Sequence, residues 1–594
     1  MDDFISQASH VGIPGLEDEW QSDSPPIPEE VQIDDSPIYR IERQLGRGGN
    51  GLVCAGRPIG PSTPSGQTGP RPPEVAVKFQ RKHPSGSEAG IPHEWEVYDE
   101  LGENHGIPLP RVHYRGQQGD YNILVMDLLG PSLHARLIDN CPSMPLAAVA
   151  CVAVEAISIF EKLHSRGYIH GDVKPENFLL GPPGTPDERK LFLIDLGLAV
   201  RWRHHSSSSH VRYHQSPNQF RGTLHFASVH AHLGRTSSRR DDLESLAYML
   251  ALLIRGHLPW LGFEAEDRVC KKKMATPLEA LCHSCPPPFL QFAEFAVNLR
   301  FDEDPNYARY ISLFRGIIGE NPYVWPVNAH AAQESNEGDV LPESPLSRRG
   351  LRRSRWISIF HSHPPIRQRI CYNVDDVDLP LCIEEARADG MYVSSVASHL
   401  DLWAVVMDSG TGFTDQVHTI APDFLPQGWI RRQWRRNYHI TAIAGADNGS
   451  LLVIMSKGPR KCWQCYRVTG TFPYSWIKRK WALGTYVTAM ATVGQSWVVV
   501  MSSAAGFVRQ VVELDFQYPF EGIYERWNQG YFITSVAATP AQVAFVFSIP
   551  EEEEVPVRGS QEAVQTSHFP ERVVTESWTR NYYMSLLCYG RTVS

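Results

Sequence analysis

One short phrase recurs down the C-terminal part of the chain at a nearly constant interval, and a repeat of that length limits what the region can fold into. Tyr392-Val-Ser-Ser-Val-Ala, His439-Ile-Thr-Ala-Ile-Ala, Tyr486-Val-Thr-Ala-Met-Ala, Phe532-Ile-Thr-Ser-Val-Ala and Tyr583-Met-Ser-Leu-Leu-Cys follow one another at 47, 47, 46 and 51 residues. A tryptophan stands five residues before each of the last four, at Trp434, Trp481, Trp527 and Trp578, and a second apolar run ends 15 or 16 residues after each of the first four, at Met407, Met455, Met501 and Phe547. Short β-branched and aromatic runs at this period predict an all-β repeat domain over residues 355–594, propeller-like in its stacking of small sheets. The fifth unit stops before its second strand, whereas Trp356-Ile-Ser-Ile-Phe360 lies one 47-residue period before Trp403-Ala-Val-Val-Met407. Those two fragments could complete one blade and close a ring of five, leaving no exposed strand edge, although an open twisted array satisfies the same period. No nucleophile, base and carboxylate recur together, so the repeats read as a region that binds a partner or substrate.

Charge divides the rest. The chain carries 56 Lys plus Arg against 66 Asp plus Glu, and ten of those acids, with no Lys or Arg, fall in residues 1–35. With Ser24-Pro-Pro-Ile-Pro28 and no periodic apolar face, residues 1–36 read as an acidic disordered tail. No apolar run approaches the roughly 18 residues of a membrane span, and the start lacks the basic and apolar regions of a signal peptide. Eleven scattered cysteines make no disulfide framework, which fits a reducing compartment. The pairs Cys282/Cys285 and Cys462/Cys465 lack nearby partners for a zinc site. Residues 321–354 read as a linker that runs into the basic tract Arg348-Arg-Gly-Leu-Arg-Arg-Ser-Arg355, either a nuclear import signal or a solvated segment. Residues 58–73 read as a long surface turn and Glu551–Glu554 as a solvated loop.

Between them, residues 37–320 mix strand and helix patterns and hold an ordered set of chemical motifs. Gly46-Arg-Gly48-Gly-Asn-Gly51-Leu-Val53 follows the strand-like Tyr39–Leu45 and precedes another strand, the arrangement of a hairpin folded over phosphates. Twenty-seven residues after Gly51, the strand Val75-Ala-Val-Lys78 ends in a lysine, suited to clamp phosphates if a helical carboxylate holds it. Glu94 is the candidate, with Glu96 competing. In Tyr168-Ile-His170-Gly-Asp172-Val-Lys174-Pro-Glu-Asn177, Asp172 can accept the proton of a substrate hydroxyl, Lys174 can neutralise charge on the transferred group, and Asn177 can reach a magnesium ion. Leu191-Phe-Leu-Ile-Asp195-Leu-Gly197 then ends a strand in a carboxylate suited to a second metal contact. All five elements, in order, match the protein-kinase set.

Two further stretches narrow the resemblance. Gly222-Thr-Leu-His-Phe-Ala-Ser-Val-His-Ala-His-Leu-Gly234 and Ser238-Arg-Arg-Asp-Asp-Leu-Glu-Ser245 resemble the casein kinase I family, as do Leu128-Leu-Gly-Pro-Ser-Leu133, Leu258-Pro-Trp260 and Phe301-Asp-Glu-Asp-Pro-Asn-Tyr307. With the C-terminal half, the chain looks like the plant casein kinase I-like, photoregulatory or Mut9-like group. That resemblance implies an α+β bilobal protein kinase fold ahead of the β-repeat domain and a non-specific serine/threonine kinase using ATP and Mg2+. It also implies an ATP site formed by Leu45, Gly46, Arg47, Gly48, Gly49, Asn50, Gly51, Val53, Ala76, Lys78, Glu94, the gatekeeper Met126, the hinge residues Asp127 and Leu129, and Leu179. Protein substrates follow, histones or photoreceptors among them, in the nucleus or alternatively the cytoplasm; no nucleic-acid motif is present. A scaffold whose repeats carry the main role is the competing function, and the retention of Lys78, Asp172, Lys174, Asn177 and Asp195 favours the enzyme.

Three departures from the wider kinase pattern carry expectations. Gly171 replaces the arginine that pairs with a phosphorylated activation loop, which implies turnover without that modification. Leu196 replaces the phenylalanine of Asp-Phe-Gly, apolar for apolar. His225 stands where the family has an arginine that binds anions beside the substrate, so recognition of acidic or pre-phosphorylated substrates is expected to be weakened unless Arg221, Arg235, Arg239 and Arg240 compensate.

Overall fold

The computed structural model describes residues 26–48, 51–59, 73–82, 92–102, 106–139, 143–204, 209–217, 219–318, 354–422, 425–458, 462–516, 518–539, 542–551 and 560–591. They divide between two compact units, Met1–Gly338 and Asp339–Ser594.

In the first unit, β1 (Glu30–Val31), β2 (Ile38–Gly48), β3 (Gly51–Ile59), β4 (Val75–Arg81), β5 (Val112–Gln118) and β6 (Tyr121–Asp127) form an antiparallel sheet in the order β1-β2-β3-β4-β6-β5. Alternation of side chains along β4 sets its two faces. Val75, Val77 and Phe79 join Val31, Ile33, Leu52, Ile123 and Val125 on one, while Ala76 joins Leu124, Met126 and Trp95 of helix α1 (His93–Leu101) on the other. The first strand corrects the boundary of the acidic tail. Glu30 and Val31 pair with Arg40 and Tyr39, and Val31 and Ile33 are fully buried. Two apolar side chains among acids leave no periodic signature, yet they seal that side of the sheet. Residues 1–25 lie outside the described residues.

The rest of this unit is mainly helical: α2 (Leu133–Asp139), α3 (Leu146–Ser165), α4 (Val229–His232), α5 (Arg239–Arg255), α6 (Glu266–Met274), α7 (Leu278–Leu281), α8 (Pro287–Asn298) and α9 (Tyr307–Ile318). Helix α3 is apolar around most of its circumference, the pattern of a helix enclosed by others, and it lies at the centre of the largest apolar cluster with α5, α8 and α9. Helix α5 starts at a Ser238/Asp241 capping box and stops at Gly256, whose φ of 69° a helix cannot continue. Two short antiparallel pairs, β7 (Tyr168–Ile169) with β10 (Val200–Arg201) and β8 (Phe178–Leu180) with β9 (Leu191–Leu193), hold the loops that carry the chemistry.

Among the described residues, the second unit holds five three-stranded antiparallel sheets. Four follow one plan of strand, helix, strand, strand, with the last strand in the middle. They are β12 (Gln368–Val374), α10 (Leu379–Ala388), β13 (Tyr392–His399) and β14 (Leu402–Asp408); β15 (Asp415–Ala421), α11 (Gln427–Arg435), β16 (His439–Gly445) and β17 (Leu451–Lys457); β18 (Gln464–Thr469), α12 (Tyr474–Trp481), β19 (Thr485–Val493) and β20 (Ser496–Ser503); and β21 (Phe507–Asp515), α13 (Phe520–Asn528), β22 (Phe532–Ala538) and β23 (Val543–Pro550). The fifth takes its middle strand, β11 (Ser354–Ser362), from the start of the unit, and its edges, β24 (Gln561–Thr566) and β25 (Tyr582–Arg591), from the end, with α14 (Glu571–Thr579) between them. Trp356 pairs with Tyr589 on one side and Thr566 on the other, so the two terminal fragments share one sheet.

The helices are the feature that the strand pattern did not reveal. Each is short and mostly solvated, with a buried aliphatic side chain recurring at the repeat spacing, Ile383, Ile430, Ile477, Ile523 or Val574; α10 also buries Leu379 and Ala386. A proline ahead of four of them, Pro426, Pro473, Pro519 and Pro570, precedes the first turn.

A glutamine in each outer strand joins one sheet to the next. Gln416 accepts from Val393 N–H (2.9 Å) and donates to Val393 C=O (3.0 Å). Gln464 does the same with Ile440, Gln510 with Val487, Gln561 with Ile533, and Gln368 with Met584. These links run from each sheet to the one before it and from the first sheet to the last. The repeat tryptophans Trp434, Trp481, Trp527 and Trp578 each donate their indole N–H to one of these glutamines. Replacing Gln464 by leucine therefore leaves both backbone groups of buried Ile440 unmet. The expected loss is about 3 kcal/mol, seen as a fall of roughly 8 °C in the melting midpoint of the repeat unit; an unchanged midpoint would show that the link is incidental.

Candidate active site

The site is built where the six-stranded sheet faces the helical part of the first unit. Val53 on β3 is in register with Lys78 on β4, and Ala76 with Met126 on β6. The Lys78 ammonium lies 2.6 Å from Glu94 Oε2 and 2.9 Å from Asp195 Oδ1, with lysine and glutamate both buried. Burial alone would pull the lysine down; Glu94 and Asp195 outweigh it and hold its pKa above the ordinary value, so the ammonium is charged. Glu96, the competing carboxylate, faces solvent beside His93 on the other side of α1. A strand lysine, a helix glutamate and a loop aspartate 117 residues from the lysine thereby meet at one point.

Met126 closes the sheet end of the cleft against Ala76, Trp95 and Leu124, with Val53 and Leu128 packed beside it. The Asp127 carboxylate accepts from Arg111 N–H (3.0 Å) and His113 Nε2 (2.7 Å), which pins the strand end where Leu129 follows. Leu179 sits half-buried on β8 opposite Phe192. Leu45, Gly46 and Arg47 lie on β2, with Gly46 opposite Val53 and Gly48 opposite Gly51. Gly51 has a φ of 127°, and a Cβ there would come within 2.2 Å of Phe79 C=O, so no other residue fits. Gly49 and Asn50 lie outside the described residues.

On the opposite wall, Asp172 Oδ1 accepts from the Thr223 hydroxyl (2.6 Å), and its Oδ2 lies 2.7 Å from the Lys174 ammonium, which itself donates to Thr223 Oγ1 (3.0 Å). Burial pulls Lys174 down, and the Asp172 charge more than offsets it. Asn177 Nδ2 donates to Asp172 C=O (2.9 Å), which leaves the amide oxygen as the group Asn177 can offer a cation. Asp195 adopts φ 63°, a left-handed conformation uncommon for aspartate, and caps a short helical turn by accepting from Gly197 N–H. Asn177 and Asp195 supply the hard oxygen donors that suit Mg2+, and two such ligands are what that ion needs when substrate phosphates supply the rest.

What fixes this loop is Asp242 on α5, which the sequence motif contained without revealing its role. Its carboxylate accepts from His170 N–H (2.7 Å), Gly171 N–H (2.9 Å) and His164 Nε2 (2.9 Å), all buried or partly so. Burial pushes Asp242 up, but these hydrogen bonds, led by that of His164, hold it below the usual carboxylate range. Burial holds His164 below its usual value, so the ring is neutral, donating to Asp242 through Nε2 and accepting from Tyr307 OH at Nδ1 (2.6 Å). Gly171 has a φ of 78°, and a Cβ there would meet Leu198 C=O at 2.9 Å, so an arginine at this position would be strained as well as absent.

Lys273 is a second residue without a local signal. Its buried ammonium donates to Leu224 C=O (3.0 Å), Ala227 C=O (2.6 Å) and His232 Nε2 (3.1 Å), fastening the segment that carries Thr223. Burial pulls its pKa down to about 7 against the opposing charge of Glu244.

The anion-binding expectation needs correction. Burial lowers His225 below its usual pKa, and its Nε2 faces Phe263 C=O at 3.2 Å, so a neutral ring occupies the position. Arg239 is buried, paired with Asp304 and stacked on Trp202 with 3.7 Å from guanidinium to ring centroid. Arg240 is 1% exposed, beside the Phe301 ring. Neither side chain faces solvent to compensate for His225: the first turn of α5 is enclosed by Trp202 and by residues 301–304. Arg221 alone of the predicted cations is exposed, lining a small cavity with Gly171, Ala227 and Ser228.

Two domain families match the chain: the protein kinase domain over residues 39–284 and a domain of unknown function, DUF7477, over residues 330–594. The chain is 52% identical over 588 residues to Casein kinase 1-like protein HD16 of Oryza sativa subsp. japonica, covering 97% of this chain and 82% of that protein. It is 35% identical over 288 residues to Casein kinase I homolog 3 of Schizosaccharomyces pombe, covering 47% of this chain and 62% of that protein.

Proposed function

The chain belongs to the casein kinase 1-like protein serine/threonine kinases, and from that premise we propose which of its residues carry the reaction. The observation that carries the reading is the meeting of Lys78 and Glu94 with Asp195, together with the Asp172, Lys174 and Thr223 chain. Protein kinases use ATP with Mg2+. Here Lys78, held charged by Glu94, orients the ATP phosphates under the Gly46–Gly51 hairpin. Val53, Ala76, Met126, Asp127, Leu129 and Leu179 bound the adenine pocket. Asn177 and Asp195 would hold the magnesium ion, which when bound would offset charge on the phosphates. Asp172 orients the substrate hydroxyl and takes its proton, while Lys174 neutralises the transferred group.

The left-handed backbone at Gly171, which an arginine could adopt only with strain, supports turnover without activation-loop phosphorylation. Phosphatase-treated full-length protein is expected to transfer phosphate from ATP to casein, and removal of magnesium with EDTA to stop it. Transfer that persists in EDTA, or that needs prior phosphorylation, contradicts these assignments.

The neutral His225 and the enclosed Arg239 and Arg240 support a substrate site with little affinity for a priming phosphate. A peptide and its phosphoserine-primed counterpart are expected to differ by less than about threefold in kcat/KM, whereas a charge-assisted arginine clamp is worth about tenfold or more. A strong preference for the primed peptide would reinstate an anion site.

For the second unit we read a propeller-like closed ring of five blades that binds a partner or substrate, supported by the shared β24-β11-β25 sheet and the five glutamine links. Histones and photoreceptors remain the substrate classes suggested by family resemblance, and the tract at 348–355, of which residues 348–353 lie outside the described residues, supports residence in the nucleus.

A further inference from the structure

The five repeat helices are alike in position but not in charge. Helices α10, α13 and α14 mix acids with bases: Glu384 and Glu385 with Arg387, Glu521 and Glu525 with Arg526, and Glu571 and Glu576 with Arg572. The two helices between them in sequence hold no acid. Helix α11 presents Arg431, Arg432 and Arg435, followed by Arg436, and α12 presents Lys478, Arg479 and Lys480. All but Lys480 are exposed, and among the described residues none of the seven forms an ion pair. Elsewhere in this unit arginines are matched, as in Arg387 with Asp415, Arg526 with Glu513 and Arg580 with Glu562.

The two helices form one surface because β18 lies between them. Trp434 of α11 donates to Gln464 Oε1 of β18 (3.1 Å) and sits 6.0 Å from the Tyr466 ring, whose pKa burial raises while the nearby Arg431 charge opposes the rise. From the other side, Lys480 of α12 lies 5.0 Å over the ring of Trp463, which is 56% exposed, and Arg467 of β18 lies 5.9 Å over the Trp476 ring. Seven unpaired cations interleaved with half-exposed aromatic rings oppose one another electrostatically, a cost that an anionic ligand would remove.

We propose that the α11–β18–α12 face of the repeat unit is a docking surface for an acidic polypeptide segment. Charge complementarity requires an anionic partner. The rings decide its class: Trp463 and Trp476 each have a cation over a face, whereas single-stranded nucleic acid is held by bases stacked on open rings. A carboxylate-rich peptide needs only the outward edges of those cations, with rims of aromatic surface for its apolar side chains. The inference rests on reading the repeats as a binding module but not on phosphoryl transfer, so it is tested by binding alone.

The test is fluorescence anisotropy of full-length protein with a labelled polyglutamate peptide, and with oligothymidylate and duplex DNA of matched charge. Arg431→Glu with Arg432→Glu, and separately Lys478→Glu with Arg479→Glu, are each expected to weaken peptide binding about tenfold, with steep salt dependence. Arg387→Glu with Arg572→Glu, on the mixed helices, serves as the control and is expected to leave it unchanged. Lys478→Gln with Arg479→Gln guards against misfolding by repulsion, and an unchanged melting midpoint checks each variant. Tighter binding of either nucleic acid than of the peptide overturns the choice of partner. Equal weakening by the control pair, or no binding at all, overturns the surface. Peptide binding that ignores both helix pairs overturns this assignment while leaving the binding-module reading intact.

Discussion

Replacing Asp172 by asparagine lowers the rate of phosphoryl transfer to casein by about 10³-fold, within the range ascribed to a positioned general base, and leaves the melting midpoint close to that of the parent. The substitution is nearly isosteric. An asparagine oxygen can still accept the Thr223 hydroxyl, and the Asn177 link to the residue 172 carbonyl is untouched, so the loop keeps its shape. What is lost is the negative oxygen 2.7 Å from the Lys174 ammonium and the capacity to take a proton. Because Lys78 and Glu94 lie on the other wall of the cleft and Asp195 keeps its contact with Lys78, KM for ATP is expected to change little. Equal rates from parent and variant would mean that the signal comes from elsewhere and that the chain acts as a scaffold.

Asp242→Ala is the substitution with the largest expected effect on stability. It removes a fully buried carboxylate that satisfies His170 N–H, Gly171 N–H and His164 at once. Two backbone donors and one ring are left without their acceptor, a loss of about 3–5 kcal/mol. The melting midpoint of the kinase unit is expected to fall by about 10 °C or more. The milder Asp242→Asn keeps one acceptor oxygen but turns an amide N–H₂ toward a donor, so it should fall between the two. Catalysis provides the second readout. Measured at a temperature where all three proteins are folded, kcat should drop with the loss of the anchor because Asp172 follows His170 and Gly171 directly. A variant with normal stability and normal kcat would show that the catalytic loop holds its shape without α5.

Local chemistry made much of this readable from the chain. Asp172, Lys174 and Asn177 lie within one loop, and their spacing already implies that they share a cleft. The strands of the repeats were legible too, since runs such as Leu451–Met455 and Trp497–Met501 are buried on both faces and therefore read as continuous apolar stretches. The repeat helices were not, because in α11 to α14 a single buried aliphatic residue makes no amphipathic stripe. Their signal was instead the recurring proline and tryptophan, together with a glutamine repeating at 48, 48, 46 and 51 residues from Gln368 to Gln561, whose meaning depends on a backbone partner in another sheet.

The misjudged residues share a cause. Val31 and Ile33 are too few to form a pattern, yet they bury against strands formed by residues distant in sequence. Arg239 and Arg240 read as available cations because a sequence carries charge but not direction, and only the packing of Trp202, Asp304 and Phe301 around α5 turns them inward. The choice of Glu94 over Glu96 is likewise a matter of helix phase relative to the sheet. The sequence by itself determined the reaction class, the motif residues and the five-part period, because each is written in neighbours a few positions apart. The tertiary structure decided the long-range pairings: Lys78 with Asp195, Asp172 with Thr223, Asp242 with the catalytic loop, and Gln368 with Met584, 216 residues away. Those contacts exist only after the chain has folded to bring them within hydrogen-bond range, and burial then makes each of them costly to lose.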